Sequence, residues 1–124
     1  KDVWTLPAIA PWEKSCGKHP TQKPLSILTR LILASTKPNA WILDPFTGSS
    51  TTGIAANLNG RRFLGIDLEE NFLSMSMARK IEIENPAIAA TYRQKISGFN
   101  NANELELFLI GEKKTGYSPE LVLM

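Results

Sequence analysis

WILDPFTGSSTT, residues 41–52, joins an apolar run to a turn of small residues and then to a stretch able to start a helix. The run from Ala40 to Phe46, bounded by Pro38-Asn39 and the turn at Gly48, predicts a short strand buried on both faces. Thr51 to Leu58 sets Ile54, Ala55 and Leu58 on one side and stops at Asn59-Gly60, so it predicts a helix with a clear C-terminal signal. Arg62 to Ile66 reads as a second strand ending at Asp67. Strand, helix and strand over this length predict a crossover between parallel strands, which is half of a doubly wound α/β sheet.

The flanks extend the pattern. Thr21 is placed to cap a helix whose early Pro24 needs no partner for its missing N–H, with Leu25, Leu28, Leu31 and Ile32 at helical spacing up to Ser35. After the second strand, Asn71 is placed to cap a helix running through Met77 and Ile81 to Glu84, where Pro86 stops it. Residues 1–20, punctuated by Pro7, Pro11, Gly17 and Pro20, read as an extended lead-in with little regular structure. Residues 21–96 then form the α/β unit, Ala87 to Ile96 suiting a further helix. Residues 97–124 are a C-terminal extension in which Leu105 to Ile110 suits a strand or a helix turn.

A chain of 124 residues, 43% hydrophobic, has room for one such domain but is short for an enzyme holding both a cofactor and a large substrate. It starts at Lys1, so a part of a larger enzyme is expected, with a partner segment upstream. No apolar run approaches the roughly 20 residues of a membrane helix. The single Cys16 has no disulfide partner and, with His19 alone, makes a poor metal set; a structural thiol and a reducing cytoplasm are expected. The net charge of +2 is unevenly spread: residues 1–40 carry six basic and two acidic side chains.

The turn argues against two common ligands. A phosphate-binding loop needs a lysine in a GxxxxGK[ST] frame, and GSSTTG has none. A dinucleotide fold needs GxGxxG so that bare backbone approaches the pyrophosphate, and only Gly48 stands here. What remains is a nucleoside site. Ligands of open α/β sheets bind beyond the strand C-termini, and Asp67, 19 residues after Gly48, is near the spacing of about 20 at which an acid binds ribose. S-adenosylmethionine, a nucleoside without phosphates, fits best, and Asp44 offers a carboxylate to its sulfonium.

HPTQKP at 19–24, DPFTGSSTT at 44–52 and GIDL at 65–68, in this order, resemble the amino-group DNA methyltransferases of β-type motif order, which methylate adenine N6 or cytosine N4. The likeness covers roughly residues 17 to 80, and VWTLP at 3–7 is similar to the segment that joins the family's target-recognition region to its cofactor half. It implies a Rossmann-like S-adenosylmethionine-dependent fold. Asp44, Phe46, Gly48 and Ser49 match the cofactor motif, Asp67 the ribose-binding position, and Thr21 and Lys23 the motif at the methionine end, where lysine pairs with a carboxylate. His19 reads as architecture of that loop.

Two positions depart from the family: Phe72 replaces a frequent tyrosine, and Ser50 replaces a glycine. Either the backbone at Ser50 stays in an ordinary region, or cofactor affinity falls. The family's [DNS]PP[YFW] motif, which holds the target amine and stacks on a flipped base, does not occur in this chain, so no catalytic residue is assigned. In β-type order it belongs upstream of Lys1. The resemblance thus implies a C-terminal cofactor-binding part that meets DNA through the complete enzyme, completed by a catalytic part or by a homo-oligomer. The alternatives are a non-catalytic remnant that holds cofactor or a partner, and, behind it, a nicotinamide-dependent enzyme.

Overall fold

The computed structural model describes residues 9–17 and 19–99. Two strands, β1 (Trp41–Asp44) and β2 (Arg62–Gly65), are parallel and in register from Trp41 opposite Arg62 to Asp44 opposite Gly65. Helix α1 (Leu25–Ser35) precedes β1, α2 (Thr51–Leu58) connects the strands, and α3 (Glu70–Glu84) and α4 (Pro86–Phe99) follow β2. This is the expected α/β order, and the helix expected from Ala87 is present. VWTLP at 3–7 and the run Leu105 to Ile110 lie outside the described residues.

The core forms where α1, α2 and α4 meet. Leu25 and Ile32 of α1, Ile54, Ala55, Ala56 and Leu58 of α2, and Ala89, Tyr92 and Ile96 of α4 make one buried cluster. Ile42 and Phe63 pack against it from the strands. The two alanines of α2 let neighbouring backbones approach, and Gly53 goes further: a Cβ there would stand 2.4 Å from the Phe63 ring. Asn85 divides α3 from α4, its Oδ1 accepting the Ala87 amide at 3.0 Å while Pro86 occupies the first helical position.

Four features of the fold differ from what the side-chain pattern alone suggests. First, β1 is not buried on both faces: Trp41 is 66%, Leu43 61% and Leu64 55% exposed, alternating with the covered Ile42 and Phe63. An apolar strand needs cover on each face, and the described helices supply it on one. Second, α3 does not bury its apolar stripe; Met77 and Ile81 are exposed, whereas Arg79 is buried. That helix turns its polar face inward because the turn after β1 presents carbonyls to it.

Third, Thr21 does not cap α1. Residues 19–22 form their own turn, closed by the Gln22 amide on the His19 carbonyl at 3.3 Å, and Pro24 is the extended residue before the helix. The cap comes from the lead-in, which contains a short 3-10 turn over Pro11–Lys14 rather than only extended chain. Glu13 on that turn is buried, and its Oε2 accepts the Leu25 amide at 2.8 Å. A carboxylate at a helix N-terminus satisfies an orphan donor and faces the positive end of the dipole. Glu13→Ala should therefore cost about 1–2 kcal/mol, read as a lowered urea midpoint; an unchanged midpoint would contradict the capping role.

Fourth, Asn71 does not cap α3, which begins at Glu70. Asp67 Oδ1 accepts the Glu69 amide at 2.9 Å and bends the chain early, so the helix starts before Asn71 is reached.

Candidate functional site

The turn after β1 is held from three sides. Asp44 closes it from below, Oδ1 accepting the Phe46 amide at 3.1 Å and Oδ2 the Thr52 hydroxyl at 2.7 Å. Asp67 closes it from β2, Oδ2 accepting the Gly48 amide at 2.8 Å. From α3, Ser76 donates to the Gly48 carbonyl at 3.0 Å and the Arg79 guanidinium to the Ser49 carbonyl at 2.6 Å.

Gly48 is required here. Its φ is 53°, and a Cβ would lie 2.8 Å from His19 Nε2. The His19 ring packs on Phe72 with centroids 4.2 Å apart, and its Nδ1 lies 3.2 Å from the Thr21 amide and 3.3 Å from the Thr21 hydroxyl. The HPTQK loop thus leans on the turn through the space that Gly48 leaves.

A cleft of about 250 Å³ lies between loop and turn, and its lining includes Thr21, Lys23, Asp44, Phe46, Gly48 and Ser49. Six of the seven residues proposed from sequence are brought together, with Phe46 88% exposed. Asp67 is not in this lining; it reaches the site through the Gly48 amide. A larger, more apolar cleft of about 360 Å³ between α2, β2 and α3 contains none of the seven. The chemistry favours the smaller one, where a cation, a carboxylate, hydroxyls and an aromatic ring converge.

The Asp67 carboxyl is held below its ordinary value of 3.8, chiefly by the Glu69 amide and then by the Gly48 amide. A depressed carboxyl stabilises the fold above its unfolded pKa and stops doing so as pH falls through the folded pKa. The turn should therefore loosen only below about pH 4, visible as acid-induced change in the Gly48 amide resonance. In Asp67→Asn this acid step should vanish.

Ser50 does not keep an ordinary backbone: its φ is 55°, left-handed for a residue with a Cβ. Its hydroxyl lies 2.8 Å from that of Thr47, and its amide donates to the Thr47 carbonyl at 2.8 Å. Strain of about 1–2 kcal/mol is thus set against a buried hydrogen bond. Ser50→Ala keeps the strain and loses the bond, whereas Ser50→Gly loses both. The glycine variant should be the more stable by about 1 kcal/mol in urea unfolding, and the reverse order would refute this account.

Sequence reasoning missed Arg79, Ser76 and Glu13. The signal for the first two was spacing: Phe72, Ser76 and Arg79 share one face of a helix, directed at the turn. The Cys16 Sγ lies 3.3 Å from Glu82 Oε2, and the thiol's pKa is raised by burial and by that carboxylate. Among the described residues no cluster of His, Cys, Asp and Glu suits a metal, and no helix is long and apolar enough to cross a membrane.

The N6/N4 methylase family profile, described as DNA methylase, matches residues 1–78. The type II methyltransferase M2.MboI of Moraxella bovis is 53% identical over 96 residues, 77% of this chain and 35% of its own length. M2.DpnII of Streptococcus pneumoniae is 55% identical over 85 residues, 68% of this chain and 31% of the relative. The crystal structure of the M1.HpyAVI–SAM complex superposes with a TM-score of 0.51 at 36% identity, covering 57% of this chain and 34% of that one. The chain spans about a third of the length of the curated relatives it matches. The matched residues 1–78 include both the turn and the loop that leans on it, and the chain belongs to the amino-group DNA methyltransferase family.

Proposed function

We propose that this chain is the S-adenosylmethionine-binding, C-terminal portion of a DNA methyltransferase that acts on the exocyclic amine of adenine (N6) or cytosine (N4), with residues 21–96 as the cofactor unit. The observation that carries this reading is the cleft between the HPTQK loop and the DPFTGSS turn. Its donor set suits the cofactor. Lys23 is placed for a carboxylate, Asp44 for a cationic centre, Phe46 for an aromatic face, and Thr21 and Ser49 for hydrogen bonds. Asp67 retains lone pairs beyond the two amides it accepts, and these are available to ribose hydroxyls. When bound, S-adenosylmethionine supplies an electrophilic methyl group. The protein's own part is to hold it in a fixed position and to neutralise its charges.

The [DNS]PP[YFW] motif is absent from the sequence, so a target-base clamp has to come from another polypeptide segment. The uncovered face of Trp41, Leu43 and Leu64 supports such a completion, because parallel sheets are normally covered on both sides. DNA would then be met through the complete enzyme, in the cytoplasm.

Calorimetric titration of the chain with S-adenosylmethionine and with NAD tests the reading. Binding of S-adenosylmethionine alone is expected, and preferential binding of NAD would overturn it.

A further inference from the structure

We infer that Arg79 is a positioning residue for the cofactor turn, acting from α3 through the backbone of Ser49. The inference rests on the cofactor reading proposed above and adds a residue that the motifs do not contain. Arg79 is only 5% exposed. Its Nη1 donates to the Ser49 carbonyl at 2.6 Å and lies 3.2 Å from the Ser49 hydroxyl and 3.0 Å from the Thr51 hydroxyl. One guanidinium nitrogen therefore bridges the last part of the turn and the first residue of α2.

The rest of that helix face acts on the same place. Ser76 holds the Gly48 carbonyl, and Phe72 packs on His19 of the opposing loop. A single face of α3 so reaches both walls of the cleft, the turn by hydrogen bonds and the loop by ring contact. Burying a guanidinium is costly and lowers its pKa, and the carboxylates of Glu13 and Glu82 act against that shift. An apolar side chain would fill the volume without that cost. The guanidinium's distinct contribution is orientation: it points the Ser49 carbonyl into α3, which leaves the Ser50 backbone left-handed and turns the start of α2 toward the cleft.

Hydrogen exchange and calorimetry on Arg79→Met, Arg79→Lys and the control Arg61→Met test this. Arg61 is equally buried but ties the Thr36 and Asn59 carbonyls, away from the turn. In Arg79→Met the Ser50 and Ile54 amides, bonded to the Thr47 and Ser50 carbonyls, should exchange at least about tenfold faster relative to the Ile66 amide. Affinity for S-adenosylmethionine should fall by about tenfold or more. Arg61→Met should lower Tm without either change, and Arg79→Lys should fall between wild type and Arg79→Met. A folded Arg79→Met with the exchange pattern and affinity of Arg61→Met overturns the inference; if it does not fold, wild-type exchange in Arg79→Lys does so. If the wild-type chain binds no S-adenosylmethionine while the exchange pattern appears, the cofactor reading fails and the hold of Arg79 on the turn stands.

Discussion

Gly48→Val is expected to abolish measurable S-adenosylmethionine binding and to cost about 2–4 kcal/mol of stability. At a φ of 53° a β-branched residue is strained, and its Cβ would enter the His19 ring, 2.8 Å from Nε2 and 3.1 Å from Cε1. Neither side has room to yield. The ring is braced by Phe72 and bonded at Thr21, while the Gly48 amide and carbonyl are fixed by Asp67 and Ser76. Gly60→Ala separates strain from collision: its φ is 70°, but nothing lies within 4 Å of the added Cβ. That variant should lose about 1 kcal/mol and keep its cofactor affinity. Wild-type binding by Gly48→Val, measured by calorimetry, would remove the turn from the cofactor site.

The purified chain should self-associate, and replacing Leu43 and Leu64 together should make it a monomer. These two side chains are cross-strand partners on the uncovered sheet face, beside Trp41, over whose ring the Arg62 guanidinium lies at 5.7 Å. Each leucine buried in a contact contributes about 1.5–3 kcal/mol. Leu43→Glu with Leu64→Lys keeps an opposite-charge pair across the strands, so the sheet is spared while the apolar contact is lost. Self-association should weaken by about a hundredfold or more, read by light scattering over a concentration series. A wild-type chain that stays monomeric throughout would count against the proposal that further polypeptide completes this face. The same double variant should also fail to be rescued by a catalytic part supplied in trans.

Both results depend on features that differ in how far the sequence exposes them. Gly48 and Asp67 could be picked out because backbone conformation at a strand-to-helix turn and an acid near the end of the next strand leave local traces. Asp67 nevertheless does more than its spacing implies: it bonds the turn at Gly48 and starts α3 at Glu69. Lys23 and Thr21 were legible through the HPTQKP motif, and the fold brings them to the same cleft as Asp44 and Ser49.

The buried charges were not legible. Arg79 and Glu13 are ordinary surface residues by composition, and each is interior because a backbone group elsewhere needs a partner: the Ser49 carbonyl for one, the Leu25 amide for the other. Met77 and Ile81 err in the opposite sense, apolar by pattern and exposed in the fold.

The sequence by itself determined the order of elements, the parallel pairing of β1 and β2, and the position of the turn, because these follow from local propensity, short-range spacing and a crossover of limited length. Only the tertiary structure decided which faces are covered, which helix end Glu13 caps, and that α3 holds the turn through Ser76 and Arg79. Those outcomes depend on contacts between residues far apart in the chain, such as Ser49 with Arg79, for which no local pattern of side chains carries a signature.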